Sequence, residues 1–229
     1  MADQVLVKHQ LDLLNNKGRL QARFNSFLEL GYNCKGPCFL FCLLLYFHKW
    51  ARGKSMLDNR VYEETKKIAS HYVEISTDLN KKVSDPDVTQ AYLGTKGYQY
   101  IRILGTAIDK SNVMDALEML RFKDNFYSRL FIINFQQHPD EPIFKTHYVL
   151  CKKTRNGYRV YDSHWPDGSR KYKWGGYGEF DQWGADLKDF FTDGAPYSFS
   201  IVHVRKTSDI QYYLGGFPRN AAHNLRRLV

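Results

Sequence analysis

An almost entirely apolar segment, from Gly36 to Trp50, constrains the fold more than any other feature of this sequence. It reads Gly-Pro-Cys-Phe-Leu-Phe-Cys-Leu-Leu-Leu-Tyr-Phe-His-Lys-Trp, which puts apolar side chains on nearly every side of a helix. Pro37 suits the first helical position, where its missing N–H would have no partner in any case. The apolar run from Pro37 to Phe47 is too short to span a bilayer. We therefore expect a helix buried at the centre of a folded protein.

The first hundred residues carry the spacing of helices. Apolar residues recur at three and four from about Val5 to Leu30, and this pattern predicts two helical stretches broken near Lys17-Gly18. Further helices are predicted from about Met56 to Ile75 and from Asp87 to Leu93. With the apolar segment, these predict a helix-rich lobe over residues 1–97.

The second half is rich in aromatic and β-branched residues, which favour strands. Two helices interrupt this pattern, at about Asn112–Arg121 and Phe180–Phe191. The fold class predicted is α+β: a helical lobe with a buried central helix, and a sheet-rich lobe over 98–205 with a twisted, mostly antiparallel sheet. We expect one domain over 1–229, with residues 206–229 as a tail. The predicted strands are Tyr98–Leu104, Phe126–Phe135, Phe144–Lys152, Tyr158–Tyr161 and Tyr197–Val204.

Composition limits the classes of function. Of the residues, 43% are hydrophobic, and Lys plus Arg exceed Asp plus Glu by 33 − 24 = 9, so a folded chain attracted to anionic surfaces is expected. The basic residues are scattered and no nucleic-acid motif accompanies them, which makes an acidic membrane surface a possible partner and nucleic acid an unlikely one. The amino terminus lacks a signal-peptide pattern, and we expect a soluble protein without a transmembrane segment. Four cysteines, three of them within nine residues, do not resemble a secreted disulfide framework.

Cys34 is placed where a thiol becomes a nucleophile. It precedes Lys35-Gly36-Pro37 at the start of the predicted central helix, where free N–H groups and the helix dipole favour a thiolate. Cys38 and Cys42 follow at steps of four inside the helix and are better explained as core residues. This spacing is not that of a zinc knuckle, so we expect no metal site, and the chemistry of a thiol needs no cofactor.

His147 and Asp162 supply the groups that such a thiol requires. A thiolate needs an imidazole base, and that base needs a third group to fix its orientation. His147 lies inside one predicted strand, and Asp162 ends the next one. If Asn156-Gly157 formed a tight two-residue turn, Asp162 would face Cys151 and lie four residues along from His147. A turn nearer Thr154 or a bend at Ser163 would bring them together, and Asp167 is the alternative orienting group under the tight turn.

These residues resemble the YopT/AvrPphB-type cysteine proteases, papain-fold effectors that bacteria deliver into host cells. Gly31-Tyr-Asn-Cys34-Lys-Gly-Pro-Cys38 is similar to the nucleophile segment of that family, and Thr146-His147-Tyr-Val-Leu to its histidine strand. Val160-Tyr-Asp162-Ser resembles its aspartate strand. The resemblance runs from about Gly31 to Val204 and implies a papain-like fold and a Cys34–His147–Asp162 triad. It also implies a host protein as substrate, and delivery into the host cytosol by a specialised secretion system.

One departure from papain-like enzymes leaves alternatives open. Those enzymes supply a Gln or Asn side chain a few residues before the nucleophile as an oxyanion donor, and here Glu29 and Leu28 stand five and six residues before Cys34. Asn33 is the nearest candidate. The same thiol chemistry serves deamidases, transglutaminases and deubiquitinases, because each proceeds through a thioacyl intermediate. The remaining alternative is a binding module with a basic surface and no catalysis.

Overall fold

The computed structural model describes residues 2–32, 37–108, 130–137, 146–155, 157–173 and 197–207. The helices expected at Asn112–Arg121 and Phe180–Phe191 lie outside this part of the chain, as does the tail beyond residue 207. Four helices are described: α1 (Ala2–Glu29), α2 (Cys38–Phe47), α3 (Asn59–Asp78) and α4 (Pro86–Thr95), with a single 3₁₀ turn at Lys49–Ala51 after α2.

Local chemistry explains where α3 and α4 begin. The Asp58 carboxylate accepts a hydrogen bond from the Val61 N–H at 3.1 Å, and so caps the first turn of α3. Asp85 caps α4 in the same way through the Asp87 N–H at 2.9 Å, with Pro86 in the first helical turn. The helices predicted from the sequence in these two places are confirmed.

The break predicted near Lys17-Gly18 is wrong, because α1 runs without interruption through Gly18. A glycine inside a helix costs about 1 kcal/mol relative to alanine, which is too little to end a helix whose other residues favour it. Gly18 does not adopt a positive φ angle, and no atom would lie within 4 Å of a Cβ placed there. Neither a turn nor a close packing contact therefore requires glycine at this position.

The strands of the described residues are β1 (Tyr98–Ile108), β2 (Leu130–Gln137), β3 (Thr146–Thr154), β4 (Gly157–Tyr161), β5 (Ser169–Lys173) and β6 (Tyr197–Lys206). They form one sheet in the order β1-β6-β2-β3-β4-β5. All five neighbouring pairs are antiparallel, in agreement with the mostly antiparallel sheet that the sequence predicts. Strand β5, at one edge, was not predicted, because its sequence Ser-Arg-Lys-Tyr-Lys is mostly polar. Charged residues are a common feature of edge strands, where they discourage pairing with other chains.

Helix α2 is the centre of the core, and every residue from Cys38 to Leu45 is buried. At its beginning the Phe39 ring packs on Tyr148 of β3 with ring centroids 4.8 Å apart. At its end the Tyr46 hydroxyl donates a hydrogen bond to the carbonyl of Val204 in β6. Helix α2 therefore lies across one face of the sheet, with its first turn beside the start of β3. The buried central helix and the α+β class are confirmed.

None of the helices in the described part of the chain combines the length and the apolar character needed to cross a membrane.

Candidate functional site

The structure brings His147 and Asp162 together. The Nε2 atom of His147 lies 2.8 Å from Oδ2 of Asp162, which is a hydrogen bond between two buried side chains. His147 is 1% exposed and Asp162 5%. Cys34 and Asn33, the expected nucleophile and oxyanion donor, lie outside the described residues.

The register of the β3–β4 hairpin determines that His147 and Asp162 lie in contact. Thr154 pairs with Gly157, so the turn is centred one residue nearer Thr154 than an Asn156-Gly157 turn would be. Leu150 then pairs with Tyr161, the last residue of β4, and Asp162 follows at the level of Val149. In this register Asp162 lies beside a residue of β3 that is two positions, rather than four, from His147. That separation is within reach of a diagonal contact between neighbouring strands. The four-residue separation of the tight-turn register does not occur.

Backbone hydrogen bonds also hold Asp162 in place after β4 ends. Its N–H donates to the carbonyl of Gly168 at 3.2 Å, and its own carbonyl accepts from the Trp165 N–H at 3.3 Å. The loop from Asp162 to Gly168 is thus closed on itself before β5 begins. Asp167, the alternative orienting group, is exposed, and the carboxylate that meets His147 is that of Asp162.

Gly168 ties this loop to the helical part of the protein. Its φ angle is +71°, in the left-handed region that glycine tolerates best. A Cβ placed there would lie 2.4 Å from the Lys54 carbonyl oxygen and 2.8 Å from the Ser55 Cα. Only a residue without a side chain allows this close approach of two backbones, and the approach fixes the position of Asp162.

The site stabilises the charged form of Asp162. Burial alone would raise the pKa of its carboxyl group, but the charge of His147 and the hydrogen bonds from His147 and His164 oppose it. The net effect holds the pKa of Asp162 well below its usual range. An ionised carboxylate therefore lies against the imidazole of His147.

His164 is the part of the site that sequence reasoning missed. Its backbone N–H donates to Oδ1 of Asp162 at 2.8 Å, and its ring packs edge to face on His147 with centroids 4.8 Å apart. The Asp-Ser-His sequence at 162–164 was the available signal, because a residue two positions after an aspartate often gives its N–H to that carboxylate.

The thiols of the described cysteines lie in an environment unlike that of Asp162. Cys38, Cys42 and Cys151 are buried. Burial raises the pKa of the Cys42 thiol, as do the neighbouring Cys38, Asp162 and Cys151. Burial and the charge of Asp162 likewise raise the pKa of Cys151. Cys42 and Cys151 therefore stay protonated and unreactive, which suits core residues.

His147, Asp162 and His164 have ligand atoms within 4.8 Å of one another, and among the described residues they are the one such group that could hold a metal ion. The 2.8 Å separation of His147 and Asp162 is shorter than the roughly 3.3 Å between two ligands of a tetrahedral ion with bonds of about 2.0 Å. The separation between Nε2 of His147 and Oδ2 of Asp162 is that of a hydrogen bond.

Comparison with known proteins finds no matching family model and no matching curated protein. Among solved structures, the chain is similar to the crystal structure of the Pseudomonas avirulence protein AvrPphB. The alignment covers 75% of this chain and 94% of that chain, with a TM-score of 0.45 and 12% sequence identity.

Proposed function

We propose that this protein is a cysteine hydrolase, and specifically a cysteine protease, with Cys34 as nucleophile, His147 as base and Asp162 as the group that orients the base. The observation that carries the proposal is the buried 2.8 Å hydrogen bond between His147 and Asp162. An imidazole bound to an ionised, buried carboxylate is the base that a thiol nucleophile needs. On this proposal residues 1–229 form a single papain-like catalytic domain.

The hydrogen bond also assigns the two ring nitrogens of His147. Because Nε2 lies against Asp162, proton exchange with the reacting groups falls to Nδ1. The carboxylate stabilises the imidazolium that forms when the ring takes the proton of a thiol. A buried neutral partner in place of Asp162 would leave that charge unsupported.

Chain connectivity supports Cys34 as the nucleophile. Helix α2 begins at Cys38, and the Phe39 ring lies against Tyr148, the residue that follows His147 in β3. Three peptide units join Cys34 to the buried Pro37, a reach of about 11 Å at most. The thiols of Cys42 and Cys151 are held protonated by burial, which leaves Cys34 and Cys38. Of these two, Cys34 precedes the helix, whereas Cys38 is buried within it.

The proposed reaction proceeds in two halves. The Cys34 thiolate attacks a substrate carbonyl carbon to form a C–S bond, while the Cys34 N–H and the Asn33 amide bind the oxyanion. The C–N bond then breaks, and the imidazolium of His147 gives its proton to the departing amine. In the second half His147 removes a proton from water, the hydroxide attacks the thioester, and the Cys34 thiolate leaves. The scheme uses only groups of the protein and water.

The resemblance to YopT/AvrPphB-type proteases supports a host protein as substrate and a role as an effector delivered into the host cytosol. The formal net charge of +9 suits an approach to acidic proteins or to an anionic membrane surface. Deamidation, transglutamination and removal of ubiquitin-like tags share the thioacyl intermediate and are alternatives for the same residues.

The deciding experiment is labelling with an electrophilic thiol probe, read by mass spectrometry, in the native protein and in the Cys34→Ser, Cys38→Ser and His147→Ala variants. We expect selective labelling of Cys34, lost in Cys34→Ser, strongly reduced in His147→Ala and retained in Cys38→Ser. Labelling of Cys38 instead would show that Cys38, four residues further along the chain, is the nucleophile. Absence of any selective labelling would contradict the enzyme and favour a binding module with a basic surface.

A further inference from the structure

The carboxylate of Asp162 is shared between two histidines. Oδ2 lies 2.8 Å from Nε2 of His147, while Oδ1 accepts the backbone N–H of His164 at 2.8 Å and lies 3.4 Å from Nδ1 of the His164 ring. One buried anion therefore has an imidazole on each of its oxygens. The function proposed above uses only the first of the two.

The His164 ring is fixed between two other rings. It packs edge to face on His147 with centroids 4.8 Å apart and on Phe24 of α1 with centroids 4.9 Å apart. Its Nδ1 atom also lies 3.3 Å from the hydroxyl of Ser163. These contacts keep the ring beside the carboxylate.

Exposure separates the two histidines. The His164 side chain is 37% exposed, whereas that of His147 is 1% exposed and that of Asp162 7%. His164 can therefore exchange protons with water directly and is the outermost member of the set. In the described part of the chain the titratable groups seen against it include Asp162 in its own loop and His147 in β3, while α1 presents the apolar Phe24.

A positive charge on His164 affects both Asp162 and His147. A protonated His164 places a second cation beside Asp162, where it competes with His147 for one negative charge. The same cation lies across from the His147 ring at a separation where like charges repel each other. Both effects weaken the support that Asp162 gives to a positive charge on His147.

We infer that His164 is a positioning residue of the proposed active site: it holds Asp162 through its N–H and, by gaining or losing a proton, sets how strongly that carboxylate supports the imidazolium of His147. A catalytic role for this site rests on the proposed function, but the coupling between the two rings does not. With a neutral His164 ring the carboxylate balances charge on His147 alone, and with a protonated ring it balances charge on both.

The test is an NMR titration of ¹⁵N-labelled histidines in the Cys34→Ala protein, compared with the same protein carrying His164→Gln or His164→Phe. Both changes remove the second cation, and only phenylalanine keeps a ring packed on Phe24. We expect the titration midpoint of His147 to rise by about 0.5 pH unit in both variants alike. The exposed His71 on α3 is the control, and its midpoint is expected to stay constant.

An unchanged midpoint of His147 in His164→Phe, alone or in both variants, would overturn the inference, because it would show that His164 acts through packing or not at all. If His164→Gln does not fold, His164→Phe decides. Since the Cys34→Ala protein has no nucleophile, the result is independent of whether the native protein proves to be a protease.

Discussion

The middle of α2 and the end of β4 each bury an ionisable side chain, with opposite results. Cys42 is 0% exposed and Asp162 5%, so water is excluded from both. The pKa of Cys42 is raised by burial and by its neighbours, whereas the pKa of Asp162 is lowered because bonds and charge from two histidines outweigh burial. Burial alone keeps a group neutral, and the partners of a group decide whether it is charged.

This contrast separates the core from the candidate site. Helix α2 surrounds its thiols with apolar side chains, and the hairpin β3–β4 surrounds its carboxylate with hydrogen-bond donors. Substitutions on each side of this contrast have different expected effects.

The largest effect is expected from Asp162→Asn. An amide cannot balance a charge on His147, and in serine proteases the matching change lowers kcat by about 10⁴-fold. We expect a loss of about 10³- to 10⁴-fold in the rate at which an electrophilic probe labels Cys34 or in kcat/KM for a cleaved peptide. The matched control is Asp167→Asn, whose carboxylate is exposed. A comparable loss in that control would show that Asp167 is the orienting group.

The second largest effect is expected from Gly168→Ala, on the stability of the protein. A methyl group there would overlap the Lys54 carbonyl. Alanine would also have to adopt the left-handed backbone conformation of Gly168, which a residue with a Cβ disfavours. Together these should lower the free energy of unfolding by about 2–4 kcal/mol. Gly97→Ala is the control, since Gly97 has a similar φ of +73° and no atom within 4 Å of its Cβ position. Urea unfolding curves measure both, and equal losses would show that the contact with Lys54 is unimportant.

Cys42→Ser tests the core side of the contrast. A hydroxyl in this apolar environment should lower the free energy of unfolding by about 1–2 kcal/mol, since it is more costly to bury than a thiol. Activity per folded molecule should be retained, because Cys42 takes no part in the proposed reaction. Chemical unfolding and the probe assay check the two statements, and lost activity in a folded Cys42→Ser protein would contradict the assignment of Cys42 to the core.

The smallest effect is a difference in acid stability. Because the folded-state pKa of Asp162 is lowered, its contribution is fully present above the unfolded pKa of about 3.9 and is lost as pH falls below that value. Between pH 5 and pH 3 the native protein should lose about 1 kcal/mol of stability more than Asp162→Asn does. Unfolding free energies at several pH values measure this, and parallel curves would mean that Asp162 is not preferentially ionised in the folded protein.

Much of the fold could be predicted from the sequence because the signals were local. The run from Cys38 to Leu45 has too many apolar residues for any position but the core, and Asp58 and Asp85 precede helices as capping residues do. Strand β5 gave no such signal, because an edge strand needs little apolar surface. The continuity of α1 through Gly18 was missed because a weak preference of one residue was taken as a break.

The candidate site was predicted in part. His147 and Asp162 could be named from their places in neighbouring strands, but two registers of the hairpin were compatible with the sequence. His164 was not named, since its role depends on a contact with His147 that exists only after the loop from Asp162 to Gly168 closes. The catalytic roles of Cys34, Asn33, His147 and Asp162 stay predictions.

A buried central helix, and an imidazole and a carboxylate on two successive strands, follow from local sequence, because burial and strand formation depend on the residues nearby. The pairing of Thr154 with Gly157, the packing of Gly168 against Lys54 and the second histidine on the carboxylate emerge only in the folded chain. Register and loop position are set by contacts between residues far apart in the chain, where small differences in packing select one arrangement among several that local preferences allow.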